Sequence, residues 1–420
     1  MSSVECKKPE KFMIRFPALF IAFALSAGYL NAMEYLTGAW NGARQKTTDA
    51  GIDFFATYAN DLMGNPVGGR AQGFTNAGAL DTALTLDLEK LANIKGCTLF
   101  NSLNWCSGSS LSAKRIDNQF PVQQLYQGET WKLAELYLQE SLFNNRLNIK
   151  AGRLCAGMDF IASPIYLKYV TGAINANPFP MIINAFFSMY PFSTWGACMN
   201  ARIDPLQIKA GVFNTNPDIW KNKYHGFNFT FKSQHGVMWI SEATYHSNQN
   251  SNNGLKGNYT IGGYYTTGKA DTFSESHASG NHGYYVQFDQ MLYRPNADQN
   301  LTSWGAVLFA PANRNPFPFF FAAGLVYQGT FSRPADALCL GIAYGLYSDD
   351  MRKAERKGRK TENIIGEREQ SAETDIELNY WFQATQWLTL TPVVQYIINP
   401  KGYGTIQNAL TAGIQIIIDL

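Results

Sequence analysis

The C-terminal stretch at residues 410–420, LTAGIQIIIDL, alternates between apolar and polar side chains. One face carries Leu410, Ala412, Ile414, Ile416, Ile418 and Leu420, and the other carries Thr411, Gly413, Gln415, Ile417 and Asp419. Successive side chains of a β-strand point to opposite faces, so a period of two residues is the signature of a strand. The stretch therefore predicts a final strand with one apolar face and one mostly polar face.

The same alternation recurs along the chain from residue 51, in segments of about ten residues separated by Gly, Pro, Asn, Asp or Ser. On the segment at 374–384, Asp375, Glu377 and Asn379 share the polar face. The pattern predicts sixteen strands, at 51–60, 80–89, 97–105, 132–140, 146–153, 194–203, 206–213, 236–246, 258–267, 283–292, 303–310, 320–329, 337–347, 374–384, 387–397 and 408–420.

Strands with one apolar face and a second face rich in carboxylates and amides suit a barrel in lipid. There the outer face meets hydrocarbon, the inner face meets water, and closure satisfies the backbone hydrogen bonds. The mean hydropathy of -0.19 and the aromatic content of 14% agree with this fold, because a helical membrane protein would be more apolar. The sequence predicts an all-β fold, a transmembrane antiparallel β-barrel of about sixteen strands.

The lengths of the links between strands predict how the barrel lies in the membrane. Bacterial barrels have short periplasmic turns and longer outer loops. With a periplasmic C-terminus, the tight links 144–145, 204–205 and 385–386 fall on the periplasmic side, and the long links 61–79, 106–131, 154–193, 214–235 and 348–373 fall outside. The link at 154–193 is too long and too apolar to extend freely into water. We expect it to fold into the barrel and to form a constriction.

The N-terminus carries a predicted export signal at residues 1–32. Lys7, Lys8, Lys11 and Arg15 precede an apolar run at 16–25, and small residues follow up to Ala32. This order is typical of a secretory signal peptide. The prediction is an outer-membrane protein whose barrel spans 51–420, with membrane lipid and the barrel assembly machinery as partners.

The inward loop predicts a set of pore-lining side chains around the constriction. Opposed charges orient polar solutes, and aromatic faces stack on sugar rings. Each side chain is either a solute contact or half of a structural ion pair. The predicted set is Lys114, Arg115, Trp131, Glu135, Lys150, Arg153, Asp159, Lys168, Lys209 and Trp381.

No pattern in the sequence predicts catalysis, a metal site or a cofactor. A formal net charge of +2 gives no basic face for nucleic acid. After residue 32 the chain has five cysteines, Cys97, Cys106, Cys155, Cys198 and Cys339. An odd number leaves two interpretations open, buried free thiols or an intermolecular disulfide.

Several segments in one order carry a resemblance to a known family. They include LTGAWNGARQ at 36–45, LDLEKL at 86–91, LYLQESLFNNRLNIKAGRLCAGMDF at 136–160, YVQFDQMLYRP at 285–295 and DIELNYWFQATQWLTLTPVVQYIINP at 375–400. The chain resembles the carbohydrate-selective porins typified by OprB, and the resemblance covers nearly the whole mature chain.

The resemblance implies a sixteen-stranded outer-membrane porin through which small hydrophilic solutes, with sugars favoured, diffuse passively. It also implies that segment 33–50, with Trp40, Gly42 and Arg44, lies near the periplasmic mouth or the lumen, and Arg44 joins the predicted solute contacts. Association into a homo-oligomer stays open. The competing hypothesis is a disulfide-linked structural protein or adhesin of the outer membrane, which the odd number of cysteines favours.

Overall fold

The computed structural model describes residues 34–249, 254–274, 277–361 and 369–420, and these form a closed antiparallel barrel of sixteen strands. The predicted signal peptide lies outside the described residues. The strands are β1 (Ile52–Gly69), β2 (Gly73–Asp87), β3 (Cys97–Gly108), β4 (Thr130–Leu142), β5 (Leu147–Leu154), β6 (Thr194–Ile203), β7 (Leu206–Asn214), β8 (Val237–Ser247), β9 (Gly257–Asp271), β10 (His277–Tyr293), β11 (Asn300–Phe309), β12 (Phe319–Gln328), β13 (Ala337–Leu346), β14 (Ala372–Gln383), β15 (Leu388–Ile398) and β16 (Gln407–Asp419). The predicted fold class and strand number are confirmed.

Helical segments are short and lie between the strands or ahead of β1. The α-helices are α1 (Ala43–Asp49), α2 (Leu88–Ala92), α3 (Ala156–Asp159), α4 (Pro180–Asn184) and α5 (Asp349–Thr361), and a π-helical turn spans Ser112–Ile116. Single 3-10 turns lie at Trp40–Gly42, Tyr166–Lys168, Pro217–Trp220, Asn222–Tyr224, Ser233–His235, Thr330–Ser332 and Pro400–Gly402. No helix in the described part of the chain is long and apolar enough to cross a membrane.

Each strand pairs with its neighbour in sequence, and β1 pairs with β16 to close the barrel. Closure leaves no strand edge with unpaired backbone N–H and C=O groups, to which lipid could not hydrogen-bond. The two faces of the wall differ as the alternation predicts. On β14 the lumen-facing Asp375, Glu377 and Asn379 are buried, whereas the intervening Leu378 is 50% exposed on the outer face.

The two ends of the barrel carry links of different length. At the end where β16 finishes, strands are joined by short turns such as 143–146, 204–205 and 384–387, and we call this the short-turn end. At the opposite, long-loop end, the links include 109–129, 155–193, 215–236 and 347–371. In bacterial barrels these two ends face the periplasm and the exterior, respectively.

The predicted long link at 61–79 is wrong, because this segment is a hairpin. β1 and β2 continue to Gly69 and from Gly73, with only 70–72 between them. Asn65 stabilises the turn, since its amide donates to the carbonyls of Gly68 and Ala71 and its oxygen accepts from the Gly73 amide. The Asn, Gly and Pro residues here are typical of loops. In the structure they form the end of β1. There the backbone lies so close to β16 that Gly68 leaves no room for a side chain.

Candidate functional site

The loop at residues 155–193, which we call the inner loop, lies inside the barrel. Its side chains and backbone bond to the lumen face of distant strands. The Tyr166 hydroxyl donates to Gln287 on β10 at 3.0 Å, and the amides of Val170 and Thr171 donate to the Glu377 carboxylate on β14 at 2.9 and 2.7 Å. The prediction that this loop folds inward is confirmed.

Apolar side chains fill the space between the inner loop and the barrel wall. The rings of Tyr166 and Tyr169 each pack edge-on against Trp304 on β11, with centroids 5.3 Å apart in both pairs. Phe160 meets Phe213 on β7 in the same way at 6.0 Å. All five rings are almost fully buried. One side of the lumen is therefore a packed core, and the water-filled space is confined to the remainder.

A second loop, the rim loop at residues 109–129, also packs against the inner wall. The amides of Gln119 and Phe120 donate to the Glu373 carboxylate on β14. The Gln123 side chain donates to the Asp61 carbonyl on β1 at 3.0 Å. These contacts hold the rim loop against the part of the inner wall that runs from β14 through β15 and β16 to β1, at the long-loop end.

Two ion pairs form a charged cluster where the inner loop begins. Lys150 on β5 contacts Asp159 at 2.7 Å, and Lys209 on β7 contacts Glu242 on β8 at 2.9 Å. Lys209 also donates to the Asp159 carbonyl at 2.7 Å, which joins the two pairs. The nearby Glu135 carboxylate accepts from the Cys155 amide at 2.9 Å. Lys150, Asp159 and Lys209 line a cavity of about 230 Å³ with Gln139, Asn148, Asn200 and Cys198.

Three more of the predicted residues, Lys168, Trp381 and Arg153, lie apart from this cluster. Lys168 on the inner loop sits over the Trp381 ring of β14, with its ammonium 4.9 Å from the ring centroid. Burial lowers the pKa of Lys168. The Arg153 guanidinium donates to the carbonyls of Asn228 and Ser193, at 2.8 and 2.5 Å. Arg153 therefore ties three loop and strand segments together and has little surface left for a solute.

Four predicted contacts lie outside the narrow part of the lumen. Lys114 and Arg115 are exposed on the π-helical turn of the rim loop, beside the turn at 70–72. Arg44 donates to the Leu420 carbonyl at 2.8 Å, at the short-turn end. Trp131 is 48% exposed on the outer face, where it stacks on His225.

The outward direction of Trp131 has a structural cause. The pairing of β3 with β4 slips between Ser102 and Leu103, so that Ala134 is an extra residue in β4. Such a bulge reverses the alternation of side chains beyond it. Glu135 and Lys132 both face the lumen, and Trp131 faces outward. An unbroken alternation from Glu135 would have turned Trp131 inward.

Four lumen-facing residues, Phe100, Tyr137, Glu242 and Asp81, were missed from the sequence. Tyr137 and Phe100 stack at 4.9 Å on the wall, with the Lys150 ammonium 5.2 Å from the Tyr137 ring centroid. Glu242 pairs with Lys209, and the alternation of β8 would have placed it inward. On the opposite side of the cluster, Asp81 on β2 accepts from the Tyr190 hydroxyl of the inner loop at 2.7 Å.

The five cysteines within the described residues are all free thiols, and only Cys97 is more than slightly exposed. Cys155 lies in the inner loop, where burial raises its thiol pKa well above the usual range. The four buried thiols cannot reach a second molecule without unfolding. Nothing in the described part of the chain supports the disulfide-linked hypothesis. No group of three or more side chains suited to hold a metal ion occurs among the residues described.

Comparisons with known proteins agree with this architecture. The model of the OprB family of carbohydrate-selective porins matches residues 71–420. Porin B of Pseudomonas aeruginosa is 28% identical over 91% of this chain and 90% of its own length, and the putative porin QuiX of Acinetobacter baylyi is 26% identical over 91% and 92%.

A solved structure of OprB from Pseudomonas putida, determined at high pH, superposes with a TM-score of 0.87 at 26% identity. It covers 92% of this chain and 99% of its own. A low-pH structure of the same protein covers 92% of this chain with a TM-score of 0.61. With the match over residues 71–420, the chain belongs to the OprB family of carbohydrate-selective porins and is an outer-membrane porin for carbohydrates.

Proposed function

We propose that sugars diffuse past the charged cluster of Lys150, Asp159, Lys209 and Glu242, and that this cluster with the Tyr137 ring sets the preference for carbohydrates. The observation that carries the proposal is the lumen cavity of about 230 Å³, which has both ion-paired charges and amide side chains in its wall. A sugar hydroxyl both donates and accepts hydrogen bonds. A wall that offers both kinds of group can therefore replace the water that a sugar sheds.

The aromatic ring supplies the second element of recognition. Tyr137 is stacked on Phe100 and lies under the Lys150 ammonium, so the ring is held at a fixed angle to the lumen. Tyr137 stays partly exposed, so the apolar C–H groups of a pyranose pack against its free ring edge, and this contact is weak enough for rapid release. Passage needs no chemistry and no energy source, since the solute only follows its concentration gradient.

We also propose how the protein is exported to the outer membrane and how it is oriented there. Residues 1–32 are a signal peptide, and the mature chain is inserted by the barrel assembly machinery with the short-turn end in the periplasm. Segment 34–50 then lies at the periplasmic mouth. Its contact with the end of β16 supports this position, since the Leu36 amide donates to the Asp419 carbonyl at 2.8 Å and Arg44 donates to Leu420.

Liposome swelling with the purified protein tests the proposal. Glucose should enter faster than through protein-free liposomes, and faster than a neutral solute of equal size without hydroxyl groups. Tyr137→Ala should lower this ratio about twofold to tenfold, because an aromatic contact contributes about 0.5–1.5 kcal/mol. Trp131→Ala is the matched control, since it removes an aromatic ring from the outer face of the same strand. Glucose entry no faster than in protein-free liposomes would refute the proposed function.

A further inference from the structure

The loop at residues 215–236, which we call the flank loop, joins β7 to β8 and lies against the outside of the barrel wall. The Trp195 indole on β6 donates to the Phe229 carbonyl at 2.7 Å. The outward ring of Trp131 on β4 stacks on His225, and the Leu133 amide donates to the His225 carbonyl at 2.9 Å. The flank loop therefore covers the outer face of β4 to β6 at the long-loop end.

Hydrogen bonds fix the part of the flank loop that lies on the wall. The Arg153 guanidinium of β5 donates to the Asn228 carbonyl at 2.8 Å. The Asn216 side chain donates to the Thr230 carbonyl at 3.2 Å. Because the carbonyls of residues 228, 229 and 230 are all used in such bonds, the backbone here is held in one position. The exposure of its side chains is therefore not the result of a loose loop.

Three phenylalanines of this segment project away from the wall. Phe227, Phe229 and Phe231 are 48%, 41% and 57% exposed, and we call them the aromatic ridge. The Phe227 ring packs edge-on against Trp131, with centroids 5.5 Å apart. Such an apolar patch is unfavourable in water, whereas aromatic rings favour the boundary between the hydrocarbon and the headgroups of a membrane. At the long-loop end, that boundary is the one of the outer leaflet.

Positive side chains accompany the aromatic ridge in the flank loop. Lys221 and Lys232 donate to the two oxygens of Asp218, at 2.7 and 2.5 Å. Lys223 is exposed and makes no ion pair or hydrogen bond within the described ranges, and its ammonium lies 4.9 Å from the centroid of the Tyr224 ring. Three lysines and one carboxylate give residues 215–236 an excess of two positive charges, with the histidines neutral.

Two further charges lie next to this surface and offset each other. The buried Arg153 guanidinium lies 5.7 Å from the centroid of the Phe229 ring. Glu129 of the rim loop is exposed and follows Gly128, which lies against the Asn222 side chain. The surface therefore keeps its excess of positive charge, which attracts an anionic group.

We propose that the flank loop binds a phosphate-bearing lipid of the outer leaflet, with the phosphate at Lys221 and Lys223 and the acyl chains against the aromatic ridge. The combination of an apolar ridge on the lipid-facing side and an excess of positive charge fits an anionic amphiphile. Each lysine near an anionic lipid headgroup strengthens binding about fivefold. The inference does not depend on the passage of sugar, because the flank loop lies outside the lumen.

Native mass spectrometry of the delipidated barrel in a neutral detergent tests the proposal. The probes are lipid A, which carries phosphate groups, and a diacylglycerol, which carries none. The wild type should bind lipid A at least tenfold more tightly than the diacylglycerol. Lys223→Ala should weaken the binding of lipid A about fivefold and Lys221→Ala/Lys223→Ala about thirtyfold, with the binding of the diacylglycerol unchanged. Phe231→Ala should weaken the binding of both probes about twofold to tenfold.

Matched controls exist on the other side of the barrel. Lys353→Ala removes an exposed lysine of α5, which precedes β14, and β14 lies eight strands from β6. Phe309→Ala removes a half-exposed ring from the outer face at the long-loop end of β11. Both controls should bind lipid A as the wild type does. An equal weakening by Lys223→Ala and Lys353→Ala would mean a general attraction to basic protein and would overturn the site.

Other results would also overturn the proposal. Equal affinities of the wild type for lipid A and the diacylglycerol would exclude recognition of phosphate. If the wild type forms dimers in sedimentation experiments that Phe231→Ala dissociates, the aromatic ridge is a protein interface and the lipid site is refuted. Lys223→Ala breaks no ion pair among the described residues, so the variant should fold, and unchanged affinity for lipid A in this variant alone refutes the assignment.

Discussion

Replacing Glu377 by alanine should turn a steady channel into one with frequent partial closures. Glu377 is buried on β14 and accepts from the amides of Val170 and Thr171 on the inner loop at 2.9 and 2.7 Å. Asn379 and Gln395 also donate to this carboxylate. Without it, the segment around residue 170 loses these two hydrogen bonds to the wall and becomes free to move into the lumen.

The size of the effect follows from the two amides. Each buried amide left without a partner costs about 1–3 kcal/mol, and water entering from the lumen reduces this cost. We therefore expect about 2 kcal/mol, which raises the population of the detached segment about thirtyfold, since 1.4 kcal/mol is a factor of ten. The loop keeps its other anchors, among them the bond of Tyr166 to Gln287, so the barrel itself should assemble.

Single-channel recording in planar bilayers measures the closures directly. Glu377→Gln keeps one acceptor oxygen and should show an intermediate frequency of closures. Glu140→Ala removes an exposed carboxylate of β4 and serves as a control for the loss of charge. If Glu377→Ala shows the same closure frequency as the wild type in a correctly assembled barrel, the carboxylate is not what holds the inner loop to the wall.

Three further perturbations test other parts of the structure. Lys150→Met leaves Asp159 without its ion pair. A cation passing roughly 6 Å away then gains about 0.7 kcal/mol in water and an anion loses about as much, so the cation-to-anion permeability ratio should rise about tenfold in reversal-potential measurements. Hydrogen bonds from Lys221 and Lys232 lower the pKa of Asp218 to about 2. Because the pKa is depressed in the folded protein, the ionised Asp218 carboxylate stabilises the loop at 215–236 fully above about pH 4. This stabilisation is lost as the pH falls through about 2. Digestion by an acid protease should cut this loop faster between pH 4 and pH 2, and Asp218→Asn should remove that dependence. Alkylation followed by mass spectrometry should modify Cys97 in the native barrel and Cys106, Cys155, Cys198 and Cys339 only after unfolding; rapid native labelling of Cys155 would contradict its burial.

The fold was predictable because lipid and water impose opposite demands on alternate residues. The inner positions Asp375, Glu377 and Gln415 are polar and the outer Leu378 is apolar. The sequence therefore shows which face of each strand points to the lumen and which points to the lipid. The hairpin at 61–79 was missed for a local reason. Asn65 and the glycines at its tip have the composition of a loop, and their function in a strand end depends on contacts with β16 that no local pattern contains.

The site was only partly predictable, because it depends on which side chains meet across the lumen. Lys150, Asp159 and Lys209 were recognised as pore-lining candidates, but their partners come from the register of separate strands. Lys209 lies directly opposite Glu242, which a single sequence does not pair. The bulge at Ala134 had a larger effect, since one extra residue moved Trp131 to the outer face. The prediction of pore contacts is therefore more sensitive than the prediction of strands to a one-residue error in the alternation.

The inner loop explains how a sixteen-stranded barrel becomes a narrow passage. A barrel of this size without a loop inside it encloses a wide aqueous channel. Here the Tyr166, Tyr169 and Trp304 rings bury one wall under an apolar core, which excludes water and solute from that side. The polar residues of β4 to β10 near the short-turn end stay accessible, because the loop passes above them and leaves two cavities beneath. The same loop thus narrows the passage and leaves free space along the wall that carries Lys150, Lys209 and Asp289.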